Sequence, residues 1–217
     1  MTLLDFARGI WMEIALSIFA LGVLWRLFSL LLLPWSKERS VKRADAPSSL
    51  VAGTQGFFRH MWPAQTSASM FVTINGYVFH IGLAIVVFGF AQHILFIKGL
   101  FGLTWPGIPS TFINIVAVIT LASLVAALVR RISNPVTRLL SGFNDYFSWT
   151  VTALPVLTGL LAVGHYIEPY ETILALHILS VELLLIWFPF GKLMHAFLVF
   201  LTRSETGIFY SRRGVDI

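Results

Sequence analysis

From His60 to Ile97 the chain carries no Asp, Glu, Lys or Arg. A helix that crosses a bilayer needs about 20 predominantly apolar residues, and this stretch supplies them with room to spare. Four further apolar runs reach spanning length. The predicted spans lie at about 10–33, 68–97, 111–129, 146–165 and 172–201. In hydrocarbon each must be helical, because every backbone N–H and C=O needs a partner within its own segment. The expected fold class is therefore all-α and integral to the membrane, with five transmembrane helices in one bundle. The residues 1–217 form a single domain with one sizeable loop at 35–67.

Composition separates this reading from that of a globular enzyme on an anchor. The chain is 57% hydrophobic and 12% charged, against about 25% charged residues in a soluble domain. There is no cysteine, so the chain itself offers no thiolates for an iron–sulfur cluster, no covalent attachment for a c-type haem and no disulfide. Any such cluster belongs to a partner. Asp5, Arg8 and Glu13 interrupt the start, and the apolar run up to Leu33 is too long for a cleaved signal peptide. No internal repeat or low-complexity segment is visible.

Loop charge sets the expected direction. Lys37, Arg39, Lys42, Arg43 and Arg59 fall in the loop 35–67. Arg130, Arg131 and Arg138 fall between the third and fourth spans, and Arg203, Arg212 and Arg213 in the tail. The opposite side has only Arg8 and Lys98 beside Asp5, Glu168 and Glu171. The excess of Lys and Arg in cytoplasmic loops predicts the N-terminus outside and the C-terminus inside, and the expected location is a prokaryotic cytoplasmic membrane. The net charge of +5 is thus a topology signal rather than a nucleic-acid footprint. Phe57, Phe58, Met61 and Trp62 in the loop suit an interfacial helix or a partner contact.

Four histidines lie inside the apolar runs. His177 and His195 are 18 residues apart, about five turns and about 27 Å of continuous helix. That is close to the roughly 30 Å of a hydrocarbon core, so one imidazole is expected near each face. His80 and His93 lie in the second run. Ionisable groups within a membrane are rare and usually functional. Neutral imidazole is a good axial ligand, and two of them leave no open position on the iron. The expectation is two b haems, each held by a histidine pair: His80 with His195 toward the inside, His93 with His177 toward the outside. The 13 residues from His80 to His93 leave them about 140° out of alignment on an ideal helix, so bending near Gly89 is needed. His165 is the rival outer ligand, and His60 reads as a solvated or structural loop residue.

Other residues carry two readings each. Gly76, Gly82 and Gly89 suit close approach of a flat ring or ordinary helix packing. Glu182, between the two histidines of the last run, suggests proton handling or an ion pair. Lys192 suits a haem propionate or the interface. Lys98, beyond the second span, suits a quinol site or an interfacial position, with Glu182 as an alternative proton acceptor there. The competing class is a non-redox transporter or assembly protein using intramembrane His and Glu for protons, although inverted repeats and broken helices are not visible.

The sequence Trp187-Phe-Pro-Phe-Gly-Lys-Leu-Met-His195, the pair His177 and His195 that brackets it, Phe79-His-Ile-Gly82, and the basic loop Ser133-Asn-Pro-Val-Thr-Arg138 resemble the gamma subunit of respiratory nitrate reductase and related membrane cytochromes b. The resemblance covers residues 78–213. It implies a five-helix dihaem cytochrome that oxidises quinol near the outer haem and passes electrons to a cytoplasmic iron–sulfur subunit. It places His80 and His195 on the inner haem and His177 on the outer one. The other outer ligand falls at Phe90, which cannot ligate iron, and His93 is the nearest substitute. A lysine beyond this helix helps bind quinol in the family, which directs attention to Lys98. Relatives serve other iron–sulfur partners, including heterodisulfide-reductase-like and sulfur-metabolism complexes.

Overall fold

The computed structural model describes residues 2–33, 41–59, 61 and 67–215. Pro34, Trp35, Lys37, Arg39, His60 and Trp62 lie outside the described residues, as does the end of the tail. Among the described residues the chain is all-α, with no strand. The helices are α1 (Leu3–Arg8), α2 (Ile10–Leu32), α3 (Ser49–Arg59), α4 (Ser67–Gly89), α5 (Ala91–Phe101), α6 (Ser110–Ser133), α7 (Pro135–Leu139), α8 (Phe143–Val163), α9 (Tyr170–Trp187) and α10 (His195–Arg213). Five spans are long and apolar enough to cross a membrane: Leu3–Leu32, Met70–Gly89, Ser110–Ser133, Phe143–Val163 and Tyr170–Trp187. Their outward faces carry Leu21, Trp25, Leu31, Phe71, Ile74, Phe112 and Ile115 in the open. A surface this apolar is stable only against lipid. The chain is a multi-pass membrane protein.

The spanning helices pack as a row, α4 on α6, α6 on α8, α8 on α9 and α9 on α2. Small residues and side-chain hydrogen bonds join them, as expected where lipid is as apolar as the side chains. Asn75 on α4 donates to the Ser123 carbonyl of α6 at 3.0 Å, and Ser123 Oγ returns a bond to Asn75 Oδ1 at 3.0 Å. Gly82 lets α4 settle onto Thr120. Trp149 on α8 donates to the Leu124 carbonyl at 2.9 Å, above a core of Leu124, Ala153 and Val156. Gly22 on α2 accommodates Pro189, whose Cβ would lie 2.7 Å from any side chain there.

Two predicted spans are broken. The second stops at Gly89, and Phe90 takes an extended conformation (φ −75°, ψ 126°) before α5 begins. The Gly89 carbonyl turns outward to accept the Ile108 N–H at 2.8 Å. The fifth was expected to continue to residue 201 but ends at Trp187. Pro189 cannot donate to the helix ladder, and Gly191 is extended (φ −97°, ψ −178°). His177 and His195 are therefore not on one helix, and the rise of a continuous helix does not set their separation.

The residues after the break form a separate layer. Helix α10 packs along α3, and the two cross at Gly56 and Gly207. A side chain at Gly207 would lie 2.6 Å from both the Gly56 Cα and the Ala52 carbonyl. Phe57 stacks on Phe200, with centroids 5.6 Å apart. The Arg43 N–H donates to the Arg212 carbonyl at 3.2 Å. Phe57 and Phe58 of the loop thus belong to a helix pair at the arginine-rich end.

Candidate functional site

The four intramembrane histidines meet in two pairs. His80 and His195 stand with ring centroids 5.9 Å apart and planes at 89°. His93 and His177 stand 6.2 Å apart with planes at 19°. A metal held end-on between two imidazoles, about 2 Å from each nitrogen, places the centroids roughly 6 Å apart. The break at Phe90 is what aligns His93: it starts a new helix and so escapes the 140° offset of a continuous one. The break at Trp187 makes His195 the first residue of α10.

Each ring has its Nδ1 occupied. His80 Nδ1 donates to the Gly76 carbonyl at 2.7 Å, His93 Nδ1 to Val86 at 3.0 Å and His195 Nδ1 to Lys192 at 2.8 Å. A carbonyl only accepts, so Nδ1 carries the proton in each neutral ring and Nε2 keeps its lone pair. His177 Nδ1 lies 3.2 Å from Thr158 Oγ1, whose own hydrogen goes to the Leu154 carbonyl at 2.7 Å. That threonine oxygen therefore accepts from His177. The four rings share the tautomer that suits metal-ligating histidines, whose other nitrogen is bonded to an acceptor.

Space and surroundings also fit a flat apolar group. Helices α4 and α9 do not pack face to face among the described residues; the histidine pairs join α4 to the start of α10 and α5 to α9. His80 and His195 are exposed within the apolar band, whereas His93 and His177 are half-buried. Gly76, one turn before His80, has no atom within 4 Å of where a side chain would begin. Gly82 and Gly89 instead serve packing, against Thr120 and against Ile108 with Ile113. A cavity of about 630 Å³ opens beside His195, lined by Arg26, Asn144, Lys192 and Thr202 among others. Ligand sites run to roughly 300–1,000 Å³. Among the described residues no three His, Asp or Glu side chains converge to hold a metal ion by themselves. A porphyrin brings four nitrogens, so one histidine pair is all it requires from protein.

The remaining expected residues fall elsewhere. His165 is exposed and stacks on Tyr170 at 4.8 Å, away from His177. Lys192 is held by Asp145, which accepts from Lys192 Nζ at 2.6 Å and from Arg131 Nη1 at 2.9 Å on one oxygen. Lys98 is exposed in the last turn of α5, about 140° round an ideal helix from His93. Glu182 is only 5% exposed, and its Oε1 has no partner among the described residues. Glu182 lies about 140° round an ideal helix from His177, so it is off the face of α9 that carries the His93–His177 pair.

The sequence reading missed several supporting residues. Thr158 fixes the His177 tautomer, and a side chain at Gly159 would lie 3.1 Å from the His177 ring. The Thr-Gly step inside the apolar fourth run was the available signal. Asp145 and Asn144 hold the turn before His195, with Asn144 Oδ1 accepting the Lys192 N–H at 2.9 Å. Trp187 donates to Ser148 Oγ at 2.9 Å, and Gly191 leaves room for its indole.

No family model matches the chain. It is 32% identical over 186 residues to a protein of Nitratidesulfovibrio vulgaris, an alignment covering 84% of this chain and 82% of that one.

Proposed function

We propose that this chain, which belongs to one family with that Nitratidesulfovibrio vulgaris protein, is a membrane cytochrome b subunit. In this reading it moves electrons between the quinone pool and a cytoplasmic iron–sulfur partner, of nitrate-reductase-like or heterodisulfide-reductase-like type. The observation that carries it is the coincidence, twice over, of a 5.9–6.2 Å histidine pair with Nδ1 committed on every ring. His80 and His195 would hold the inner b haem, and His93 and His177 the outer one. Haem supplies reversible one-electron chemistry at an iron closed to oxygen by its two ligands.

The chain's own part is to hold, orient and insulate. Breaks at Phe90 and Trp187 aim the rings, and backbone carbonyls with Thr158 lock them. The apolar helices exclude water. The positive-inside rule places Arg130, Arg131, Arg212 and Arg213 in the cytoplasm, where α3 and α10 form the platform for an acidic face on the partner. Quinol would give up two electrons and two protons at the outer end, where Lys98 is the cation in the last turn of the His93 helix.

Purified protein is expected to give two b haems per chain by pyridine haemochrome analysis. Folded protein without haem would end this reading. The two ferric signals should also differ in electron paramagnetic resonance. Near-perpendicular rings donate equally to two iron d orbitals and leave them nearly degenerate, whereas near-parallel rings split them. One strongly anisotropic low-spin signal should therefore vanish in His80→Ala, and one rhombic signal in His93→Ala. Gly76→Leu meets only open space within the protein, so the fold should persist while the inner haem is excluded and haem content falls by half. Unchanged content would show that Gly76 does not border the haem.

The buried, unpartnered Glu182 favours one other reading, a proton-handling membrane protein without redox chemistry. Only the cytochrome gives a dithionite-reduced α-band.

A further inference from the structure

We propose that Arg26 of α2 is the anchor for a carboxylate of the inner haem, an inference that rests on the cytochrome reading. Arg26 stands in the apolar span Leu3–Leu32. It makes no hydrogen bond or ion pair among the described residues, whereas three other cations toward the inner end are engaged. Lys192 and Arg131 both bind Asp145, and Arg130 lies over the Phe71 ring at 5.8 Å.

Arg26 lines the same cavity as His195, with Asn144, Phe190 and Thr202 around it. A guanidinium six residues from the end of its helix needs an anion or a path to water. The porphyrin of a His80–His195 haem carries two propionate carboxylates, and a planar guanidinium matches a carboxylate bidentately. The cavity thus presents an iron ligand and an unpaired cation together. Lys192, the cation nearest His195 in sequence, is already engaged by Asp145. Lipid phosphate is the other anion that a cation at this depth meets.

The test uses full-length wild type, Arg26→Gln and Arg26→Lys, purified in detergent. Haem stoichiometry and the midpoint potential of the inner haem are read, with His195→Ala identifying that haem. Arg26→Gln should retain the inner haem about tenfold more weakly, the loss of one charge-assisted hydrogen bond, and lower its potential. Arg26→Lys should restore part of both, and the outer haem should not change.

Loading haem-depleted membranes with protohaem dimethyl ester separates the two anions. With its carboxylates blocked, wild type and Arg26→Gln should bind it alike. A difference that persists with the ester assigns Arg26 to lipid and overturns the proposal, as does a wild-type inner haem in Arg26→Gln. A wild type that binds no haem refutes the cytochrome reading instead.

Discussion

His195→Ala should leave one b haem per chain where the wild type has two, and quinol-driven reduction of the partner should fall to background. His195 is exposed and bonded only through Nδ1 to the Lys192 carbonyl, so its removal costs the fold little. It removes one of two axial ligands, and the remaining His80 leaves an open iron position. His80→Ala should give the same stoichiometry. His177→Ala and His93→Ala should each remove the outer haem while the inner one stays reducible by dithionite. His165→Ala should change neither, because that ring stacks on Tyr170 rather than on a pair. The reduced α-band and haem content of the five variants, measured side by side, check the assignment. Loss of a haem in His165→Ala, or its retention in His195→Ala, would refute the pairing.

Gly207→Val should part α3 from α10. A side chain at Gly207 meets backbone at 2.6 Å, the Gly56 Cα and the Ala52 carbonyl, and backbone cannot yield as a flexible side chain does. Overpacking of this kind costs about 1–3 kcal/mol, a large share of what a short helix pair contributes. The natural chain has no cysteine, which makes the effect directly readable. A side chain at Gly53 would begin 3.5 Å from Ser204 Cβ, inside the roughly 3.5–4.5 Å range of a disulfide. Gly53→Cys with Ser204→Cys should therefore cross-link nearly completely under mild oxidation, and Gly207→Val should abolish the cross-link. Both haems should survive, since Gly207 lies about 18 Å along α10 from His195 at 1.5 Å per residue. If α3 and α10 form the partner platform, co-purification of the iron–sulfur subunit should fall with the cross-link. A cross-link that forms unchanged in Gly207→Val would show that the two helices pair by another face.

The class of the molecule was legible in the residues one by one. Uncharged runs of spanning length admit only helices in lipid, because backbone polar groups there have no water to turn to. Histidines inside such runs stand out because a membrane makes them costly. The direction of the spans paired His80 with His195 and His93 with His177, the pairs that meet in the structure. What a periodicity argument cannot supply is where a helix stops being one. The 13 residues from His80 to His93 conflicted with an ideal helix, and the structure removes the conflict by breaking the helix at Phe90. The 18 residues from His177 to His195 agreed with an ideal helix, yet the helix breaks at Trp187 all the same. Agreement with a 3.6-residue repeat is necessary for a helix but not sufficient, since one proline and one extended glycine outweigh it locally.

The supporting contacts were out of reach for a related reason. That Thr158 rather than a carbonyl satisfies His177, that Asp145 claims Lys192 and leaves Arg26 as the unpaired cation of the cavity among the described residues, and that Glu182 is buried all depend on which faces meet. In a bundle whose helices are apolar all round, hydrophobicity does not choose the faces. Small residues and a few hydrogen bonds do, at Gly22, Gly82 and the Asn75–Ser123 pair. Sequence alone therefore determined the membrane class and the five apolar spans, because lipid acts on every residue separately. Only the tertiary structure decided which rings, cations and carboxylates share a site, because that choice is made by contacts between segments far apart in the chain.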